Sequence, residues 1–448
     1  MCKVSVLVPA YNVEKYLAQC LRSICHQTLQ DIEIIVINDG SADQSRDIIR
    51  MFEDDSRVRV IDKENTGYGH SMNCGLEAAR GEYIGIVESD DYIEPEMFSA
   101  LYHEALEKKA EVVKANFYQQ ENGMDMLCNN LQSLPFHEVF SAVGHRDILS
   151  RAPAIWSAIY RRDFLEKNDI RFLETPGGSY QDTAVNLKVV MMADRIVCLE
   201  KAYLHYRVDN SASSVHDKKK VYYVCEEYEE AERYLEERPE KASVFLTTLV
   251  KQKYCGGYRW NFHRIDDSLK KEFLYHISRE AAEDERAGFI DPAIWTQRDL
   301  HMFHLLLSDQ EQILFKDKKQ RQLLELCRDG LRARCRSKQV YIYGAGLVGR
   351  EILHSLRRQE IKPVAFLVSR AEGNPSSVEG IPVCVISERR IDRETSVILV
   401  AVKESSQLAI VESLEKLGFT NYLLMSEKVR KSLCLPDATV EISEHGNR

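Results

Sequence analysis

The sequence predicts an α/β protein: a mixed, mostly parallel sheet at the front, a helical middle region, and a small Rossmann-like α/β unit behind it. Three observations carry this. The first ~110 residues alternate short apolar strands with helical patterns at the spacing of βαβ units. Residues 216–336 are charged and carry helical periodicity throughout. From Gln339 a strand runs into Gly344-x-Gly346-x-x-Gly349 and then a helix, the context that lifts such a glycine pattern above noise.

Each element follows from its residues. Val4 to Pro9 is an apolar strand, and Glu14 to Thr28 repeats at helical spacing through Tyr16, Leu17, Leu21 and Ile24. Ile32 to Ile37 is a second strand, closed by the turn residues Asn38-Asp39-Gly40-Ser41 and followed by a helix through Ile48, Ile49 and Phe52. Val58 to Ile61 is a third strand, and Gly69 to Ala79 a helix with Arg80-Gly81 as its C-cap. Tyr83 to Val87 is the fourth. In residues 111–215 the pattern is mixed, and Asp182 opens an apolar-periodic helix after the Gly177-Gly178 loop.

The helical region begins with the acidic run EEYEEAERYLEERPE and ends in a basic one. Lys316 to Lys338 holds nine Lys or Arg against three acids, with Phe315, Leu323, Leu324, Cys327 and Leu331 as an apolar stripe. Such a helix lies on an anionic membrane surface or packs as a linker on its neighbour. Beyond the glycine turn, Pro363 to Val368 and Val397 to Val402 are strands and Leu408 to Leu417 a helix. The expected domains are 1–215, a helical region over 216–335, the Rossmann-like unit over 336–430, and a polar tail over 431–448.

Composition narrows the function. With 44% hydrophobic and 29% charged residues the chain can bury cores, and its net charge of -10 argues against a general nucleic-acid binder. No apolar run is long enough to span a bilayer, and the start MCKVSVLVPAYN reads as a strand rather than a leader. Twelve scattered cysteines without a CxxC pair suit reduced thiols in a cytoplasmic protein, with peripheral contact at the inner membrane surface compatible with the basic segment.

The densest chemistry is YIGIVESDDYIEP, where a buried strand meets Glu88, Ser89, Asp90 and Asp91. Crowded carboxylates at the end of such a strand need a cation between them, and Mg²⁺ or Mn²⁺ carrying a phosphate suits hard oxygen ligands. The other reading is a solvated acidic turn that starts the helix at Pro95. Parallel sheets bind ligands outside the carboxyl ends of their strands, and those ends carry Pro9 to Asn12, Asp39 and Glu88 to Asp91.

These segments resemble family 2 glycosyltransferases of the GT-A fold. VSVLVPAYNVEKYLAQCLRSICHQTLQDIEIIVINDGSADQS has that family's opening strand, PAYN turn and NDGS turn, and ENTGYGHSMNCGLEAARGEYIGIVESDD its N-x-G segment and metal motif. The resemblance implies that Pro9, Ala10, Tyr11 and Asn12 line the nucleoside and that Asp39 accepts a hydrogen bond from its base. It implies that Asn65 and Gly67 flank the donor, and that Asp90 binds the metal bridging two phosphates. Where the family carries Asp-x-Asp, this chain has Glu88, whose extra methylene moves the carboxylate. Glu88 is then expected near the ribose or a metal-bound water, with Ser89 and Asp91 completing the neighbourhood. Further on, IWSAIYRRDFLEKNDIRF and a Gln181-Asp182 pair resemble the segment that supplies the general base. The first acid of that pair is lost and Asp182, the base, is kept. Downstream, His205, Arg207 and Ser213 are candidates for phosphate or acceptor, with His205 equally readable as core, and Trp156 stacks on an acceptor sugar or in the core.

The function implied is inverting, metal-dependent transfer from a nucleoside-diphosphate sugar, UDP-linked by preference, to a saccharide or lipid-linked acceptor in bacterial surface polysaccharide or glycolipid synthesis. Oligomers are compatible with it. A second reading puts nucleotide binding at Gly344, Gly346 and Gly349, with the chain a regulatory or scaffold component. An NAD site wants an acid after the second strand of that unit, and Ser369-Arg370 stands there instead. His301 and His304 have no third ligand in register and read as packing.

Overall fold

The computed structural model describes residues 2–426, apart from 122, 209 and 211–219, together with 429 and 433. Ser213 and the tail beyond 433 lie outside them. The chain forms two compact units, Met1–Ser308 and Asp309–Arg448. The helical stretch expected as a region of its own is thereby divided between them.

In the first unit, β1 (Val4–Ala10), α1 (Glu14–Cys25), β2 (Ile32–Asp39), α2 (Ser45–Arg50), β3 (Val58–Lys63), α3 (Tyr68–Ala78) and β4 (Tyr83–Ile86) alternate as the spacing predicts. The strands lie parallel in the order β3-β2-β1-β4. Every residue of β1 and β2 is buried, as strands covered on both faces must be. Ala10 pairs with Asn38 and Leu7 with Ile86, so the carboxyl ends of β1, β2 and β4 open on one rim.

The sheet then becomes mixed. After β5 (Tyr92–Ile93) and α4 (Met97–Lys108) come β6 (Val112–Glu121), β7 (Met124–Cys128), β8 (Ala158–Arg161), α5 (Arg162–Lys167), α6 (Gln181–Met192) and β9 (Ile196–Arg207). The order continues β4-β8-β6-β9-β5, with β8 antiparallel to both neighbours and β7 paired to β6. Two local expectations change. Gly81 is no helix cap: α3 ends at an extended Ala79, and Gly81 is needed because a Cβ there would sit 2.5 Å from the Ser5 nitrogen. Helix α2 ends at Arg50, so Phe52 falls in the turns after it.

The remaining helices of this unit are α7 (Tyr223–Glu236), α8 (Pro239–Gln252), α9 (Arg259–Arg264), α10 (Asp267–Arg286) and α11 (Gln297–Ser308), with a π-helical turn at Lys253–Tyr258. Buried Lys253 ties this turn to α7 and α10 through Glu232 and Asp284, both at 2.7 Å.

The second unit starts with the basic helix α12 (Gln310–Cys335). It continues through β10 (Gln339–Tyr343), α13 (Leu347–Arg358), β11 (Pro363–Val368), β12 (Ser377–Val378), β13 (Ile381–Val385), β14 (Ser396–Val400), α14 (Glu404–Lys416) and β15 (Tyr422–Leu424). Its strand order is β12-β13-β11-β10-β14-β15, parallel except for the β12–β13 pair. Leu331 and Cys335 of α12 pack into its core with Ile342, Leu353 and Leu399, whereas Phe315 is exposed. Gly344 carries φ 112°, and a Cβ on Gly349 would sit 1.9 Å from the Gly344 carbonyl oxygen, so both glycines serve the close approach of α13 to β10. No helix among the described residues is long and apolar enough to cross a membrane.

Candidate active site

The rim of the first sheet is built by cross-links between its turns. Pro9 and Ala10 end β1 buried, whereas Tyr11 is 53% exposed. Asn12 adopts φ 48°, a left-handed conformation that Asn tolerates. Its N–H donates to Ser41 Oγ at 3.1 Å and its Oδ1 accepts the Ala42 N–H at 2.8 Å, which fixes the first turn to the second. Asp39 ends β2. Its Oδ1 accepts Thr66 N–H at 3.0 Å and the Lys63 ammonium, and its Oδ2 accepts Gly67 N–H at 3.0 Å. Asp39 thus draws the turn bearing exposed Asn65 and buried Gly67 onto the rim, and Oδ2 retains acceptor capacity.

The acidic turn lies between β4 and β5, closed by Asp91 N–H on the Glu88 carbonyl at 3.0 Å. The next helix starts only at Met97, so these acids do not cap it. Arg207 organises the turn: its backbone N–H donates to Asp91 Oδ1 at 2.8 Å and its Nε to the Asp90 carbonyl at 2.9 Å. Its guanidinium lies 4.6 Å from the Tyr16 ring centre. Asn210 donates to Asp90 Oδ2 at 2.8 Å, and the Tyr68 hydroxyl donates to Glu88 Oε1 at 2.6 Å. Ser89 is buried beside them.

Charge is poorly balanced here. Burial, with the charges of Asp90 and Asp182 adding, pushes Glu88 up to about 8. Burial also raises Asp90, and raises Asp91 well above the carboxylate range. Asp91 Oδ2 is buried without a hydrogen-bond partner. Hard oxygen donors short of positive charge fit a divalent cation. Among the described residues the trio whose ligand atoms lie within 4.8 Å of one another is Cys225, His276 and Glu280, so the rim carboxylates form no closed protein cage. A cation held there by Asp90 would share its shell with phosphate and water, as Mg²⁺ and Mn²⁺ do.

Asp182 arrives from a different part of the chain. It stands in the first turn of α6, and burial pushes it up to about 6, with Thr183 hydrogen bonds and Lys114 pulling it down. The loop before it is tied down by Gln181, whose Nε2 donates to Thr175 Oγ1 at 2.7 Å while its Oε1 accepts Ser179 N–H at 2.5 Å. The same Nε2 donates to the Gly177 carbonyl at 3.4 Å, a bond a carboxylate could not make, which gives the glutamine a physical reason. Tyr68 N–H donates to the Gly177 carbonyl at 2.9 Å, so this loop lies against the start of α3.

Several site residues escape sequence reasoning. Lys114 on β6 is 2% exposed and donates to the Pro153 carbonyl and Asn186 Oδ1 at 3.0 and 3.1 Å. Burial pushes it down to about 8. A single lysine inside the apolar run VVKANF was the available signal. Tyr68, Asn210 and the Arg207 backbone left none. Trp156 is buried and stacked on Tyr206 at 4.9 Å; burial raises the Tyr206 phenol, and the charges of Asp91, Asp90, Asp182 and Glu88 add to this. His205 is sandwiched between Tyr92 and Tyr118 and bonded to Glu94 at 2.9 Å, which makes it packing. Gly344, Gly346 and Gly349 come together at the β10–α13 turn of the second unit; a Cβ on Gly346 would meet open space.

Residues 5–167 match the model of glycosyl transferase family 2. The uncharacterized glycosyltransferase EpsJ of Bacillus subtilis is 35% identical over 46% of this chain and 60% of its own length. Glycosyltransferase GlyG of Streptococcus pneumoniae is 34% identical over 46% of this chain and 72% of its own. The chain belongs to glycosyl transferase family 2. The family 2 match lies within its first unit, and the chain spans less than two thirds of the length of EpsJ. Among solved structures, S. aureus TarS 1–349 in complex with UDP-GlcNAc is similar at 21% identity and a TM-score of 0.44, over 69% of this chain and 92% of that one. The matched family 2 segment contains Pro9 to Asn12, Asp39, Asn65, Gly67 and Glu88 to Asp91 but stops before Asp182.

Proposed function

We propose that the chain is an inverting glycosyltransferase that moves a sugar from a nucleoside-diphosphate sugar, UDP-linked by preference, to a hydroxyl of a saccharide or lipid-linked acceptor. The observation that carries this reading is Tyr68, whose hydroxyl donates to Glu88 Oε1 at 2.6 Å while its N–H donates to the Gly177 carbonyl at 2.9 Å, so one residue touches both the acidic turn and the loop that leads to Asp182. A base and an acidic, cation-demanding turn on one rim are what sugar transfer needs.

In this reading Pro9, Ala10, Tyr11 and Asn12 wall the nucleoside, and Asp39 reads the base through Oδ2. Asn65 and Gly67 flank the donor, and Ser89 and Asp91 shape the acidic turn. Asp90 holds Mn²⁺ or Mg²⁺, which when bound supplies positive charge toward the leaving diphosphate. Asp182 takes the proton of the acceptor hydroxyl. A base pushed up to about 6 is largely ionised at neutral pH yet stronger than an ordinary aspartate. Bacterial surface polysaccharide or glycolipid synthesis is the setting we infer, on the cytoplasmic side, which the scattered thiols suit.

The test is release of nucleoside diphosphate by the full chain from a panel of donor sugars with Mn²⁺ or Mg²⁺. We expect one donor to be turned over and Asp90→Asn to abolish it; release from none, or full activity in D90N, would overturn the reading.

A second ligand site in the second unit has one observation in its favour. Gly346 faces open space at the N-terminus of α13 while Gly344 and Gly349 are closely packed, the division of labour of a pyrophosphate-binding turn. Titration of the full chain with reduced nicotinamide nucleotides, followed by their fluorescence, tests it; no change on addition would exclude a nicotinamide ligand.

A further inference from the structure

Helix α7 buries Val224, Tyr228, Ala231 and Leu235 on one face, the spacing of a core stripe. Glu227 lies in that same face and is 1% exposed. A carboxyl group in such a place is costly unless it makes a hydrogen bond worth the burial. Its Oε2 accepts the N–H of Ala184 at 3.0 Å, and its Oε1 is buried without a hydrogen-bond partner.

Ala184 lies two residues after Asp182, in the first turn of α6. The N–H groups of a first turn have no partner within their own helix. The residue before α6, Tyr180, has φ 67° and provides no side-chain cap. Thr183 N–H is satisfied by the Tyr180 carbonyl at 2.8 Å, and that of Ala184 only by crossing to α7. Attachment of the two helices does not need this carboxyl, because buried Lys188 already pairs with Glu230 at 2.5 Å farther along. The same helical stretch grips the turn from its other side: Arg264 and Asn261 hold the Tyr180 hydroxyl at 2.6 Å each, and Lys220 donates to the Gly178 carbonyl at 2.9 Å.

We propose that Glu227 is a positioning residue for sugar transfer. Through the Ala184 N–H it fixes the first turn of α6, and with it the direction in which Asp182 meets the acceptor hydroxyl. The inference rests on the reading of Asp182 as general base. It also gives the helices after β9 a role: they are the back support of the base.

The test uses the full chain with Glu227→Leu, which removes the acceptor oxygen, and Glu227→Gln, which keeps it; Glu227→Met replaces E227L should that variant not fold. Amide hydrogen exchange over 181–187 and the kinetics of transfer are read together. We expect faster exchange at Ala184 in E227L, kcat lower by about ten- to a hundredfold, and donor KM unchanged within about twofold, with E227Q close to wild type. Exchange and kcat of E227L equal to wild type would overturn the proposal, as would an E227Q as impaired as E227L. Wild-type chain that transfers no sugar overturns the reading of Asp182 instead, and the exchange rates still decide whether Glu227 caps the turn.

Discussion

Burial pushes Glu88 up to about 8 and Asp182 up to about 6, so without a cation the two carboxyls differ in proton affinity. For Asp182 the sign is direct: the base must be ionised, so transfer should decline about tenfold per unit as pH falls below about 6. A rate that stays flat down to pH 4 would rule the assignment out. For Glu88, placed beside the metal rather than on it, Glu88→Gln should keep transfer within about fivefold of wild type, because an amide oxygen still accepts the Tyr68 hydroxyl. If E88Q is as inactive as D90N, Glu88 is a metal ligand after all. At this scale the sequence was readable where strand ends carry polar residues, since Asn12, Asp39 and the Glu88–Asp91 turn do lie at the ends of β1, β2 and β4. Lys114 and Glu227 were hidden because their meaning comes from burial, which a charged letter in a periodic pattern conceals.

At the scale of elements, the βαβ alternation was legible because strands covered on both faces must be apolar throughout, and β1 and β2 are. The antiparallel half was not. β8 slots between β4 and β6 although β5, β6 and β7 precede it in the chain, and no local pattern encodes that pairing. The loop before α6, for all its two glycines, is tied by Gln181 and rests on α3. Gly69 sets this contact, since a Cβ there would stand 2.0 Å from the Leu173 carbonyl oxygen. Gly69→Ala should cost about 1–3 kcal/mol of stability and speed proteolysis within residues 173–180. An unchanged melting temperature and cleavage rate would show that the loop has another resting place.

For the whole molecule, the expected division at residue 215 and the observed one after Ser308 differ for a physical reason. Helical periodicity marks α7 to α11 as helices, but contacts such as Glu227 on Ala184, Lys188 on Glu230 and Asn261 on Tyr180 are what make them part of the first unit. Residues 1–308 alone should therefore fold and release nucleoside diphosphate from the donor that the full chain uses, whereas residues 1–215 should not fold stably. A folded, active 1–215 fragment would contradict this account. The second unit's sheet was legible from its glycine turn together with the apolar strands that follow it.

In the proposed reaction Asp182 and the acidic turn after β4 act as one transfer site. Transfer by Asp182→Asn, on whichever donor the wild type uses, tests it most directly. The rate should be lower by at least about a hundredfold, with donor affinity unchanged. A rate within twofold of wild type, or a loss explained wholly by weaker donor binding, would contradict it.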